Sequence, residues 1–210
     1  SYGSPFTAAW VSGNQVTLVG GGAMTIKDSA FVVNVNLIEI EDQTGIVVAA
    51  GISSFNGCSN LTTLLFPEML TTGDFCFHSS SSITTYDLAK LATAGENCFV
   101  GWTVASLTLA ALITGNTGCF DSSTCTTYSM LLATTLENQV FNQCLSATLI
   151  DIPLCVNLGI DPTDASVFNN IVGSIITLNV AAVNATNNAG GVHASVAYLI
   201  ANNTATVNYI

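Results

Sequence analysis

Residues 73–102, GDFCFHSSSSITTYDLAKLATAGENCFVGW, state nearly the same thing twice. A Gly-x-x-Cys-Phe ends at Phe77 and another at Phe99, with the short alternating run ITTYDL between them. Extended in both directions, the phenylalanine recurs at Phe31, Phe55, Phe77, Phe99, Phe120, Phe141 and Phe168, at intervals of 24, 22, 22, 21, 21 and 27 residues. After most of these comes a pair of apolar residues separated by one: Leu64/Phe66, Tyr86/Leu88, Leu107/Leu109, Tyr128/Met130, Ile150/Ile152 and Leu178/Val180. Ile38/Ile40 is the pair after Phe31, and Val16/Leu18 begins the series. A period in this range marks a stacked array, because one unit cannot bury its apolar side alone while neighbouring units share a continuous core.

Each unit reads as a short strand, a turn, and an irregular or 3₁₀-like return ending in Phe. In ITTYDL, Tyr86 and Leu88 point to one side while Thr85 and Asp87 point to the other, as alternation in a strand requires. Gly73 and Gly95 stand four residues before their Phe and Asn116 takes that place before Phe120. Both residue types tolerate left-handed backbone, so the spacing predicts a common turn there.

The unit FNGCSNLTTLLFPEMLTTGDFCF (55–77) resembles the leucine-rich repeat of the BspA-like bacterial surface proteins. Its carriers are Phe55, Cys58, Leu61, Leu64, Phe66, Pro67, Gly73 and Phe77, echoed by Phe141, Cys144, Ile150, Ile152 and Pro153. The fold expected is a leucine-rich-repeat β-solenoid of short parallel strands with irregular or 3₁₀ returns and atypical capping ends. About seven repeats are expected over 15–180, with an insertion near 154–166. Residues 1–14 form an N-terminal arm or cap, with Tyr2, Phe6 and Trp10 as anchors for assembly in the arm reading. Residues 181–210 form a C-terminal cap, in which VAYLIANN reads as a short helix and TATVNYI as a final strand.

Composition narrows the function. Half of the 210 residues are hydrophobic but only 7% are charged, against roughly 25% in an average globular protein. Lys27 and Lys90 are the only basic side chains, and the net charge is −11. Nucleic acid is excluded as a partner, since its binding needs cations to displace phosphate counterions, and an anionic membrane surface fits no better. No apolar run approaches the ~18 residues of a span, so membrane insertion is not expected. The chain opens at Ser1 without a signal-peptide pattern, which leaves a removed leader or a route that never used one.

Catalytic and metal chemistry finds little support. The seven cysteines include no C-x-x-C, and Cys76, Cys98 and Cys119 each precede a repeat Phe. Stacked in register, their Cβ atoms point in parallel, which suits buried free thiols better than disulfides. His78 and His193 lie outside any recognisable catalytic pattern. VGGGAM (19–24) lacks the Lys-Ser/Thr of a phosphate loop and reads as a bend. Asp87 and Asp151 stand three coils apart, about 14 Å, too far for paired glycosidic carboxylates. Glu39, Glu41 and Asp42, and again Asp161 and Asp164, offer oxygen ligands to Ca²⁺ but match no EF-hand loop. They are taken as solvated charge. No cofactor, no metal and no catalytic residue is expected.

What remains is surface. The outward strand residues, Thr63, Leu65, Thr85, Asp87, Ser106, Thr108, Thr127, Ser129, Leu149 and Asp151, form a polar ribbon rich in hydroxyls. The expected function is a non-catalytic structural or assembly protein of an extracellular or virion surface: a fibre, decoration or filament subunit. Its partners are copies of itself or other assembly proteins, since a low charge opposes close packing little. The alternative, implied by the resemblance, is an adhesin or receptor-binding module that meets a host glycan or protein through the ribbon.

Overall fold

A computed structural model describes residues 7–11, 14–159, 166–172, 175–185 and 193–210. The chain winds as a solenoid in which each coil lays down two strands. Front strands run Thr63–Leu65, Thr85–Asp87, Ser106–Thr108, Thr127–Ser129 and Leu149–Ile152, preceded by Gln15–Val19 and Glu39–Asp42. Rear strands run Met24–Ile26, Val47–Ala50, Thr71–Thr72, Thr93–Ala94, Thr114–Gly115, Thr135–Leu136 and Asn157–Leu158, all in one parallel sheet. Register is that of the repeat: Leu64 stands opposite Tyr86, and Leu107 opposite Tyr128, which stands opposite Ile150.

Each return keeps an irregular arc around its Phe and holds in addition a short rear strand that the sequence did not announce. Its inner residues are Thr72, Ala94, Gly115, Leu136 and Leu158, all buried, with Thr71, Thr93, Thr114 and Thr135 beside them turned outward. Among the described residues, 3₁₀ turns occur only at Ser166–Phe168 and Ala182–Ala185, near the C-terminal end.

Between the two sheets runs a ladder of phenylalanines. Phe55, Phe77, Phe99, Phe120, Phe141 and Phe168 are fully buried. With Phe31 they stack at centroid distances of 5.1 to 5.7 Å, an offset arrangement that aromatic quadrupoles favour. Three residues beyond Phe55, Phe77, Phe99 and Phe141 stands a side chain that donates a hydrogen bond to the preceding coil. Cys58 Sγ, Ser80 Oγ, Trp102 Nε1 and Cys144 Sγ reach the carbonyls of Phe31, Phe55, Phe77 and Phe120 on the preceding coil. The cysteine of the repeat therefore adds a bond from the next coil to a carbonyl that already accepts from a backbone N–H of its own coil.

The arc around each Phe alternates in handedness. Ser53, Phe75, Asn97, Gly118 and Gln139 precede a Phe by two and have positive φ; so do Gly57, Ser79, Gly101, Ser122 and Gln143, which follow by two. Alternation turns every second N–H toward the next coil. Phe75, Phe77 and Ser79 thus donate to the carbonyls of Glu96, Cys98 and Val100 at 2.7 to 3.0 Å. These bonds offset the ~1–2 kcal/mol that left-handed backbone costs a residue with a Cβ.

Gly73, Gly95 and Asn116 are not the left-handed positions. None has positive φ. A Cβ on Gly73 would lie 2.6 Å from Ile52 N, and one on Gly95 would fall on the carbonyl of Gly73. These glycines let adjacent coils touch backbone to backbone. The pair after Phe31 is also shifted by two. Ile40 stands opposite Leu64, so Asp42 takes the place of Phe66, while Ile38 is 39% exposed. Asp42 is buried, and its carboxylate accepts from Val47 N–H at 2.7 Å and Thr44 N–H at 3.3 Å.

At the N-terminal end Thr7–Val11 pairs antiparallel with Gln15–Val19, which places Trp10 opposite Val16. Tyr2 and Phe6 lie outside the described residues, as do residues 160–165 of the insertion with Asp161 and Asp164. At the other end Ile175–Val180, the helix Ala194–Asn202 and Thr204–Tyr209 form a β-α-β unit that adds the last parallel strand. His193 caps the helix by accepting from Ser195 N–H at 3.3 Å.

All seven cysteines are free and buried. Burial pushes Cys58, Cys76 and Cys119 up, Cys125 and Cys144 to about 11 and Cys155 to about 12. The folded state thus holds these protons more tightly than the unfolded chain, whose thiols titrate near about 8.5. Their contribution is complete below that pH and is lost as pH rises through 11 to 12. The expected result is a denaturation midpoint that falls above about pH 8.5, with thiol-reagent labelling at pH 8 only after unfolding. Rapid labelling of the folded chain would contradict it.

Candidate functional site

The front face carries the outward residues in two groups. Thr63 pairs with Thr85 and Leu65 with Asp87 in one five-stranded sheet. Ser106, Thr127 and Leu149 form one row of a second five-stranded sheet, and Thr108, Ser129 and Asp151 the next. Thr85, Ser106 and Thr108 are exposed and the other seven half-buried. The ribbon therefore exists in two parts, with a break between Thr85–Asp87 and Ser106–Thr108.

The break has a packing cause. Trp102 sits in the column otherwise held by Cys58, Ser80, Ser123 and Cys144, and it is fully buried edge-on to Phe99 at 4.8 Å. Beside Ser123 there is room for an inward tyrosine: Tyr128 is fully buried with its hydroxyl 2.8 Å from Ser123 Oγ. Beside Trp102 there is none. Tyr86 stays half-buried, edge-on to Trp102 at 5.7 Å, and its hydroxyl enters the gap between strands. There it donates to Ser106 O at 3.0 Å and accepts from Thr108 N–H at 2.8 Å, replacing the backbone ladder.

The acidic residues do not converge. Asp87 accepts from Ala89 N–H on its own coil. Asp151 instead begins an amide ladder, accepting from Asn179 Nδ2 at 2.9 Å, while Asn179 Oδ1 accepts from Asn208 Nδ2 at 2.8 Å. Glu39 and Glu41 face outward and bind Gln15 and Gln43, while Asp42 points into the core. No group of three metal-ligating side chains gathers among the described residues.

His78 lies at the arc, half-buried, with Nδ1 2.8 Å from Ser79 Oγ. Burial lowers its pKa and Asp121 opposes the shift. Asp121 itself accepts from Ser122 and Asn142, so it does not orient the ring as a third catalytic member would. His193 serves the helix cap. Asn60, Asn184 and Asn202 each open an Asn-x-Ser/Thr match, and of these Asn184 is buried and donates to Cys155 O, which closes it to glycosylation in the folded chain.

One surface was missed from the sequence. Two residues after each front pair stands a column along the edge between the sheets: Glu68, Lys90, Ala111, Leu132 and Leu154. Its first half is polar, with Lys90 Nζ 2.6 Å from Glu68 Oε2. Its second half is aliphatic, and Ile113, Leu131 and Val156 flank it, so that five large side chains are each 47–50% exposed. Backbone bonds from Thr134 to Ile113 and from Val156 to Thr134 keep these coils adjacent. The signal available was Leu131 and Leu132 after Tyr128 and Leu154 after Ile152, apolar where two earlier units place Glu68 and Lys90.

No helix among the described residues is long and apolar enough to cross a membrane. No curated protein matches the chain at a significant level. Among solved structures, the crystal structure of the T. pallidum leucine-rich repeat protein aligns over 85% of this chain and 85% of its own, at 13% identity and a TM-score of 0.40. The sequence pattern described as the BspA type leucine rich repeat region matches six copies over residues 24–148. With more than half of its length in that pattern, this chain belongs to the BspA-type leucine-rich repeat family.

Proposed function

We propose that the protein is a non-catalytic assembly subunit of an extracellular or virion surface, which packs against copies of itself or other assembly proteins. The observation that carries this reading is the aliphatic edge formed by Ile113, Leu131, Leu132, Leu154 and Val156. Large aliphatic side chains left exposed on neighbouring coils are the kind of surface that contacts another protein. The low charge supports it as well: two basic and 13 acidic residues in 210 leave few groups to desolvate when subunits meet.

Light scattering across a concentration series tests the reading. The wild-type chain is expected at a multiple of 21.7 kDa. Leu132→Asp combined with Leu154→Asp is expected to reduce the wild-type assembly to a smaller species while leaving the circular dichroism unchanged, because both side chains are half-exposed. A wild-type monomer at every concentration overturns the reading. The second reading, a binding module for a glycan or protein, is favoured by the exposed hydroxyls of Thr85, Ser106 and Thr108 around the Tyr86 break. In that case the monomer binds, and Thr85→Lys with Thr108→Lys abolishes binding.

A further inference from the structure

We propose that the outer edge of the last strand, Thr204–Tyr209, pairs antiparallel with the same edge of a second copy, about a two-fold axis at Val207. The inference rests on the assembly reading above and names one of its contacts.

The backbone sets the register. Ile210 N–H donates to Val180 O at 3.0 Å and Ile210 O accepts from Ala182 N–H at 2.9 Å, so Ile210 faces the neighbouring strand. With a period of two, Asn208, Thr206 and Thr204 face it too, and Tyr209, Val207 and Ala205 turn their N–H and C=O groups outward. Among the described residues no strand lies on that side. An antiparallel register centred on Val207 sets Val207 against Val207 and Ala205 against Tyr209 of the second copy. In hydrogen-bonded antiparallel pairs the two residues exchange both bonds. All the outward groups on each copy then find partners, six bonds in all.

The strand lacks the usual protection. Exposed edges in monomeric proteins are kept short, charged, interrupted by proline or bulged. The rear sheet follows this rule, ending in the two-residue strand Asn157–Leu158 and, at the other edge, in Met24–Ile26 with a register shift. Thr204–Tyr209 is six residues long, pairs without a shift and carries no charge or proline.

Three further features select a second copy. The chain carries −11, and yet two of these edges meet without facing charges. Ala205 and Val207 pack half-buried on the end of the core, and a docked strand covers them. On the outer face Asn208 lies opposite Thr206 of the second copy. The Asn208 amide nitrogen is engaged with Asn179, so Asn208 Oδ1 is the atom turned to accept from that threonine hydroxyl. The contact is isologous and closes at two copies.

Sedimentation equilibrium on the full chain carrying Leu132→Asp and Leu154→Asp isolates this contact. The expected species is a dimer, twice 21.7 kDa. Adding Val207→Pro removes an outward N–H and no bond to Ile175–Val180, as proline at an edge permits. It is expected to weaken the dimer at least about tenfold with the circular dichroism unchanged. Should that variant misfold, Thr206→Lys places on the edge the charge that blocks pairing, without touching the backbone, and the same loss is expected. A monomer in the double-aspartate chain, or a dimer indifferent to both edge variants, overturns the edge contact while a wild-type oligomer leaves the assembly reading standing. Open-ended filaments growing from the double-aspartate chain also overturn it, since this contact closes. A wild-type chain that is monomeric throughout overturns both.

Discussion

Phe99→Ala is expected to lower the unfolding free energy by about 3–5 kcal/mol, the range for removing a buried phenylalanine. Phe99 is fully buried, stacked on Phe77 at 5.7 Å and on Phe120 at 5.6 Å, with Trp102 edge-on. Its removal leaves a gap in the middle of the ladder, where neither coil can collapse without losing the bond from Phe99 N–H to Cys119 O. Stability in a stacked array is a sum of unit and interface terms, so one loss at the centre weakens two interfaces. Against a whole-domain stability of about 5–15 kcal/mol, urea denaturation should show a much lower midpoint or an early partial transition. A change under about 1.5 kcal/mol would mean that the ladder is not the organising element of the core.

Gly95→Ala is the second large effect, expected to cost about 1–3 kcal/mol by overpacking. The added methyl meets the backbone of Gly73 and Asp74 on the preceding coil, which no rotamer change relieves. Gly21→Ala is the matched control, because nothing lies within 4 Å of a Cβ there, and it should stay within about 0.5 kcal/mol of wild type. Asn116, in the same column, already accommodates a side chain, so Asn116→Ala should be mild. Equal costs at Gly95 and Gly21 would show that chain entropy, not the collision between coils, governs the position.

The Phe period and the alternating pairs were legible because both are properties of one coil repeated. An apolar residue that must reach the core from each coil leaves a mark at each interval. The same holds for the thiols: Cys76, Cys98 and Cys119 beside their phenylalanines could hardly be anything but buried. The rear strands were not legible, since two residues such as Thr93–Ala94 are too short to show alternation. Nor were the left-handed sites. Serine, phenylalanine, asparagine, glutamine and glycine all occupy them, so propensity is not what selects the conformation.

The candidate surfaces divide the same way. Alternation named the outward residues of the five front strands from Thr63–Leu65 to Leu149–Ile152, but not the break that splits them. That depends on Trp102 and Tyr86 competing for one volume, a contact between residues 16 apart on different coils. The aliphatic edge was written in the leucines after Met130 and Ile152, yet its exposure follows from where each coil bends between its two sheets.

The sequence by itself determined the unit: its length, its inward residues and the phenylalanine on which it turns, because these recur with the covalent spacing of the chain. The tertiary structure decided how units meet, and with it the glycine contacts, the handed arcs, the Tyr86 bridge and the open last strand. Each of these is fixed by hydrogen bonds or volume shared between coils, and a shared quantity belongs to no single stretch of residues.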